Sequence, residues 1–366
     1  MFLSYAEAWK EAKLAEELGY TNAWFADMQL HASDVYATMA LAAQNTDRIN
    51  LGTAVSAPPN RIAPLTASSI ATINQLAPGR VTLGLGVGGF SARRSMGMKP
   101  MTVKRFREYV EQVRGLLEGG DVLYREGEIE RWIRLLQHDF DGYINIEDPI
   151  PIYFAANGPR MLDLTGRLAD GWITVMGGMV TTEQQTENVS RGLAAIKAGA
   201  KAAGRQMSDP YYVQVSTVGC VLRPGESLMS DRVVERVGPF GLLSAHATWE
   251  AQHGVQDAVA AEFSRHTSST SEYDDYLETY AAGIGSPPDR RYLDVHKGHM
   301  GHFKPGEEEF LTEAMVAAGL VGTSEEIVER IRAWEEAGVT DVALQVMGDT
   351  GPAMLKEFAD EVMVHF

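Results

Sequence analysis

Seven short apolar runs, alternating with amphipathic segments, constrain this sequence more than any other feature. They are NAWFAD (22–27), INLGTAVSAPP (49–59), VTLGLG (81–86), IPIYFAA (150–156), GWITVMG (171–177), YYVQVSTVGCVL (211–222) and DVALQVMG (341–348). Each is bounded by Gly, Pro or Asp, as strands buried on both faces of a parallel sheet are. The segments between them carry helical spacing. In 102–117, Val103, Phe106, Val110, Val113 and Leu117 fall on one face, and in 160–168 Met161, Leu164 and Leu168 do so. In 323–337, Thr323 and Glu326 form a capping box, Ile327, Ile331 and Trp334 form the stripe, and Gly338 suits the position after the helix. Alternating strands and helices imply an α/β fold with a parallel sheet. A (β/α)8 barrel and a doubly wound sheet are the two architectures to weigh.

Two irregularities bear on that choice. The chain opens almost directly into a helix, roughly residues 5–18, closed by Gly19, with only MFLS before it. A barrel then has a missing or shortened first strand, because the start lies too late or because the barrel closes in another way. The last two runs are also separated by more than an ordinary connection allows. Residues 223–310 read as a long insertion within a single barrel domain spanning 1–366, expected over the active-site face, where long barrel loops lie.

Composition narrows the function classes. A net charge of −17 argues against nucleic acid or an anionic membrane as partner. No run approaches the ~20 apolar residues that span a bilayer, and the start lacks the features of a signal peptide. The single cysteine, Cys220, lies in an apolar run, so no internal disulfide forms and a buried, inert thiol is expected. These features place the protein in the cytoplasm.

Gly84, Gly86 and Gly89 form G-x-G-x-x-G, the spacing of a dinucleotide-binding turn. That turn needs a helix opening at the third glycine and an acid closing the next strand about 20 residues on. Here the next apolar stripe starts near Val103, and EYVEQVRGLLEGGD is helical in pattern. The Rossmann reading fails. What remains is backbone lying close to a flat ligand at the carboxyl end of a strand, where α/β barrels keep their sites.

Several segments together carry a family likeness: WFADMQLHASDVYATMALAAQNTDRINLGTAVSAPPNR, ATINQLAPGRVTLGLGVGG, MGMKP and IPIYFAANGPRMLDLTGRLADGWI. They resemble the luciferase-like flavin and deazaflavin oxidoreductases, most nearly the methylenetetrahydromethanopterin reductase branch, which uses coenzyme F420. The resemblance covers roughly 5–180 clearly and 312–360 in outline. It implies a luciferase-like (β/α)8 TIM barrel that transfers a hydride between F420 and a small organic substrate.

The same resemblance assigns roles by position. Asp27 would sit at the cofactor ring near its reacting edge, although as a loop acid it would equally cap a helix. Ala54, Val55 and Ser56 match the segment that carries a non-prolyl cis peptide behind the ring, at Ala54–Val55. Gly86, Val87 and Gly88 would lie along the cofactor chain. Asn157, Gly158, Arg160 and Met161, at the start of a helix that Pro159 would also initiate, would cradle its phosphate. Arg61, Arg93, Arg94 and Lys99 form the basic cluster nearest these segments and are candidates for a polyanionic tail.

Two departures matter. Met28 stands where relatives often have histidine, and Gly89 where the sugar-phosphate dehydrogenase relatives have glutamate. Without that acid–base pair, plain hydride transfer is expected, with the cofactor carrying the chemistry. His296, His299 and His302 are spaced H-x-x-H-x-x-H, but glycines and Pro305 argue for loop, and no carboxylate completes a metal signature. No metal is expected there; a lid or substrate-pocket role and a plain solvated loop stay open. The alternatives for the whole chain are an FMN-dependent monooxygenase of the same superfamily and a non-catalytic flavin-binding homologue. A homodimer is expected, as is common in the family.

Overall fold

A computed structural model describes residues 2–58, 60–88, 96, 101–126, 128–175, 181–253, 273–287, 289–298, 300–346 and 348–366. In chain order the strands are β1 Phe2–Leu3, β2 Asn22–Ala26, β3 Asn50–Thr53, β4 Val81–Gly86, β5 Val122–Glu126, β6 Ile129–Ile133, β7 Ile152–Ala155, β8 Gly171–Val175, β9 Tyr212–Thr217, β10 Gly219–Val221, β11 Leu320–Gly322 and β12 Asp341–Leu344. Eight of them form one sheet, ordered β1-β2-β3-β4-β7-β8-β9-β12. That is the order of the chain, without the reversal that defines a doubly wound sheet. Asn22 at the start of β2 donates from Nδ2 to Asp341 Oδ2 at the start of β12 (2.7 Å), so the sheet curls round on itself. The fold is a parallel α/β barrel. Its first strand is shortened to two residues, paired with Phe25 and Ala26 of β2.

Two details differ from the sequence reading. The run 211–222 is two strands, not one: β9 belongs to the barrel, while β10 pairs in parallel with β11. An uninterrupted apolar run shows no mark at such a break. The hairpin β5–β6, paired Leu123↔Trp132 and Arg125↔Glu130, also went unread, because its pattern is too polar for a buried strand.

The barrel interior is built by pairing large residues with glycines. Trp24 of β2, Tyr153 of β7 and Tyr212 of β9 meet inside, the two tyrosines stacked with centroids 4.3 Å apart. A methyl group on Gly52 would lie 2.2 Å from the Trp24 ring, and one on Gly171 2.6 Å from Tyr153. Alternate residues of the same strands face outward to helices, as the period of two requires. Phe154 of β7 meets Phe106 of the helix Val103–Leu117 edge-on at 5.0 Å. The helix Ser324–Glu336 has the expected capping box of Thr323 and Glu326, and Gly338 follows with φ 102°.

After β3 the backbone leaves the pleat. The Ala54–Val55 peptide is cis, at the place the resemblance gave it. The Gly84 carbonyl of β4 accepts from Thr53 Oγ1 (2.7 Å) and from the Ser56 amide (2.8 Å), and the Gly86 amide returns a bond to Ser56 O (3.1 Å). The two glycines are therefore required by the chain's own crossing segment. A Cβ on Gly84 would lie 2.0 Å from Thr53 O, and one on Gly86 2.8 Å from Val55 Cγ2.

The chain divides into two compact units. The first comprises Met1–Thr174, Val189–Val215 and Gly338–Ala343; the second comprises Val175–Asn188, Ser216–Ala337 and Leu344–Phe366. The second has its own core, which includes Val237, Trp249, Tyr276, Val295 and Met315. Cys220 is buried in it, and burial pushes its thiol pKa up, as expected of an inert thiol. A polar cluster is enclosed there. Glu307 Oε1 accepts from Tyr276 Oη (3.0 Å) and pairs with Lys304 Nζ and His246 Nε2 (2.8 Å). His296 is 5% exposed, with its ring edge-on 5.9 Å from His246, so it is a core residue rather than part of a solvated loop. His299 lies outside the described residues.

Two outcomes are expected. Gly84→Ala should destabilise the protein by about 3 kcal/mol or more, because the clash is with backbone that cannot rotate away; thermal unfolding checks this. Burial pushes the His246 imidazole down to about 4, outweighing its Glu307 hydrogen bond. The unfolded chain therefore binds the extra proton. This group's contribution to stability is complete above pH ~6.5 and is lost as pH falls towards 4. His246→Gln should flatten that part of the stability–pH curve.

Candidate functional site

β2, β3, β4 and β7 are parallel neighbours, so the residues that follow them share one rim of the barrel. That rim holds Asp27, Ala54–Ser56, Gly86–Gly88 and Asn157–Met161. All four segments foreseen from the sequence thus lie at the carboxyl end of the sheet, the usual site of chemistry in this architecture.

Asp27 is buried, and both its oxygens are engaged. Oδ2 accepts from Ser56 Oγ (2.6 Å) and from Arg61 Nη1 (2.7 Å), and Oδ1 accepts from Gln29 Nε2. Gln29 in turn accepts from Asn60. The carboxylate therefore joins the end of β2 to the segment just after the cis peptide. Arg61 reaches on to Asp34, which caps the helix Val35–Asn45 by accepting from the Ala37 amide (3.0 Å). Below it lies Tyr36, with the guanidinium carbon 4.9 Å from the ring centre. Burial opposes the guanidinium's charge, but Asp27 and Asp34 outweigh it and raise the Arg61 pKa. Arg61 is held inward by these two carboxylates. Sequence reasoning missed this pairing, and Gln29 and Asn60 with it. The signals present were an arginine soon after the bulge and an amide two residues after the acid.

Gly86 and Val87 continue from β4, and Gly88 follows with φ 109°, a conformation that glycine adopts freely. Gly89, Arg93, Arg94 and Lys99 lie outside the described residues.

At the fourth segment, Asn157 Oδ1 accepts from Thr174 Oγ1 (3.3 Å), and the Ala156 carbonyl accepts from Trp172 Nε1 (2.7 Å). These bonds fix the turn against β8. Gly158 then caps the helix Pro159–Leu168, and its carbonyl accepts from the Met161 and Leu162 amides (3.0 and 2.9 Å). Met161 is buried, with its N–H used by the helix, while Arg160 is exposed. Gly158 differs from Gly84 and Gly86: a Cβ there would meet nothing within 4 Å. Among the described residues, the space beside Gly158 at the start of this helix is open.

The rim as described offers shape, a buried ion pair and a helix start. Among the described residues no group of three or more His, Cys, Asp or Glu is arranged to hold a metal ion. Nor is any described helix long and apolar enough to cross a membrane.

Comparison with known proteins decides the family. The model of the family described as luciferase-like monooxygenase matches residues 3–341. The chain belongs to that family. A 5,10-methylenetetrahydromethanopterin reductase of Methanolobus tindarius is 32% identical to it over 254 residues, covering 69% of this chain and 72% of that protein. Among solved structures, the coenzyme F420-dependent tetrahydromethanopterin reductase of Methanopyrus kandleri superposes with a TM-score of 0.70 at 23% identity, covering 100% of this chain and 97% of that one. The oxygenating constituent of 3,6-diketocamphane monooxygenase from Pseudomonas putida, in complex with FMN, superposes with a TM-score of 0.61 at 18% identity, covering 97% and 91%. These two likenesses concern the fold. For a luciferase-like protein, the shared frame is the barrel and its carboxyl-end rim.

Gly158→Ala tests whether that open space belongs to a ligand. Its melting temperature should match the wild type, since the methyl meets no atom of the described residues, with any change within about 0.5 kcal/mol. Affinity for a phosphate-bearing cofactor should fall.

Proposed function

We propose that this luciferase-like oxidoreductase transfers a hydride between coenzyme F420 and a small organic substrate, in the manner of a methylenetetrahydromethanopterin reductase. The observation that carries the reading is buried Asp27, held by Ser56, Arg61 and Gln29 at the carboxyl end of β2, on the rim that also bears the 86–88 and 157–161 segments. The similarity to the Methanolobus reductase supports it.

F420, when bound, supplies a deazaflavin ring that gives or accepts the hydride. The protein's part is placement. Ala54, Val55 and Ser56 would hold the ring, together with Asp27, which Ser56, Gln29 and Arg61 fix in place. Gly86, Val87 and Gly88 would hold the cofactor chain. Asn157, Gly158 and Arg160 would hold its phosphate, with buried Met161 anchoring the start of their helix. With Met28 after Asp27, no histidine directly follows the acid, so catalysis would rest on orientation. In this reading the protein works in the cytoplasm as a homodimer. Leu41, Ile62 and Leu65 are exposed apolar side chains of the kind a second copy covers, and sedimentation equilibrium tests this.

The deciding experiment is a fluorescence titration with F420 and, separately, with FMN. Tight F420 binding and weak FMN binding are expected, with no oxygen consumption by the reduced complex. Preference for FMN, with oxygen uptake, would replace the reductase by a monooxygenase. Binding of F420 without turnover on any hydride acceptor would leave a non-catalytic binder.

A further inference from the structure

The Arg61 clamp has no role in the readings above beyond neutralising Asp27, yet its geometry is specific. The Asp27 side chain is 1% exposed and the Arg61 side chain 12%, so the pair is nearly closed to water. The guanidinium uses two different nitrogens for two different carboxylates. Nη1 meets Asp27, at the end of β2, and Nη2 meets Asp34, the cap of the following helix. Arg61 itself follows the cis-peptide segment. One side chain thus joins three pieces of backbone. Among the described residues, Asp27 also acts electrostatically on Tyr36, on the helix Val35–Asn45, and on Tyr109, on the helix Val103–Leu117. Burial pushes the Tyr36 hydroxyl up to about 12 and that of Tyr109 up as well; Tyr109 donates to Thr66 Oγ1 (2.6 Å). Neither tyrosine supplies a charge to replace the guanidinium. Among the described residues, removing Arg61 would leave a buried carboxylate without a counter-ion, a state proteins avoid by taking up a proton or admitting water.

We infer that Arg61 is a positioning residue for the cofactor: its two-pronged hold keeps the Asp27 carboxylate and the Ala54–Ser56 segment in the arrangement that receives the ring. The inference rests on the proposed F420 site. A lysine has the charge but not the fork, so it cannot reach both carboxylates in the same way.

The test uses the full chain as Arg61→Met, Arg61→Lys and the double variant Asp27→Asn with Arg61→Met, each titrated with F420 from pH 6 to 8.5. Wild-type affinity should be flat across that range. R61M should bind at least tenfold more weakly at pH 8 and recover several-fold towards pH 6, as the unpaired carboxyl takes a proton. The double variant should be weak but flat. R61K should restore flatness without restoring affinity. Thermal unfolding of the same proteins without cofactor supplies an independent readout. A carboxyl whose folded pKa is raised by burial contributes stability that is lost as pH rises through that pKa, so only R61M should lose stability between pH 6 and 8.5. Unchanged affinity in R61M, a pH dependence that persists in the double variant, or complete rescue by R61K would each overturn the inference. A wild type that binds no F420 would instead overturn the functional reading and the cofactor half of this inference; the unfolding series would still decide the clamp.

Discussion

The backbone of Thr53 and that of Gly84 lie so close that no methyl group fits between them, and the rim of the barrel is arranged around that approach. Adjacent parallel strands normally keep ~4.8 Å apart with side chains clear of the neighbouring backbone. Here β3 ends by crossing towards β4, and the Gly84 carbonyl takes two donors from the crossing segment. The ladder resumes only at Ser56 and Leu85. The bulge so formed brings Ser56 to Asp27 and carries the chain on to Arg61, which closes back on the same acid.

Charge is used economically. The chain is strongly acidic, and many of its arginines are bound internally. Arg80 donates to the Ile49 and Thr46 carbonyls, Arg205 and Arg114 share Asp170, and Arg61 serves Asp27 and Asp34. Each ties a strand or helix end to its neighbour. Basic residues near a predicted site are therefore poor guides to an anionic ligand until their carboxylate partners are known. At the Gly158 turn, by contrast, a Cβ would meet no atom of the described residues within 4 Å.

Much of the fold was legible because its signals are local. Short apolar runs bounded by turn residues mark barrel strands whatever lies beside them, and the Thr323–Glu326 box sets a helix start within four residues. Features that depend on a partner far along the chain were not legible. The division between β9 and β10 appears only when β11, about 100 residues later, takes the second piece. The role of Gly84 and Gly86 was read as room for a flat ligand, whereas the nearest atoms belong to residues 53 and 55. The histidines of DVHKGHMGHF looked like a loop, yet His296 is enclosed beside His246, contributed by a helix some 50 residues upstream.

By itself, then, the sequence determined the alternation of strands and helices, the barrel class, the family and the four rim segments. Each of these is written in contiguous residues whose spacing or identity carries the information. Only the tertiary structure decided what those segments do to one another. Asp27, Ser56 and Arg61 become one ion-paired unit, Arg61 turns inward, and His246, with His296 beside it, joins a buried cluster with Glu307 and Lys304. The physical reason is range. Helix caps and strand patterns are settled over a few residues, whereas a buried charge is satisfied only by whatever the closed fold brings to it.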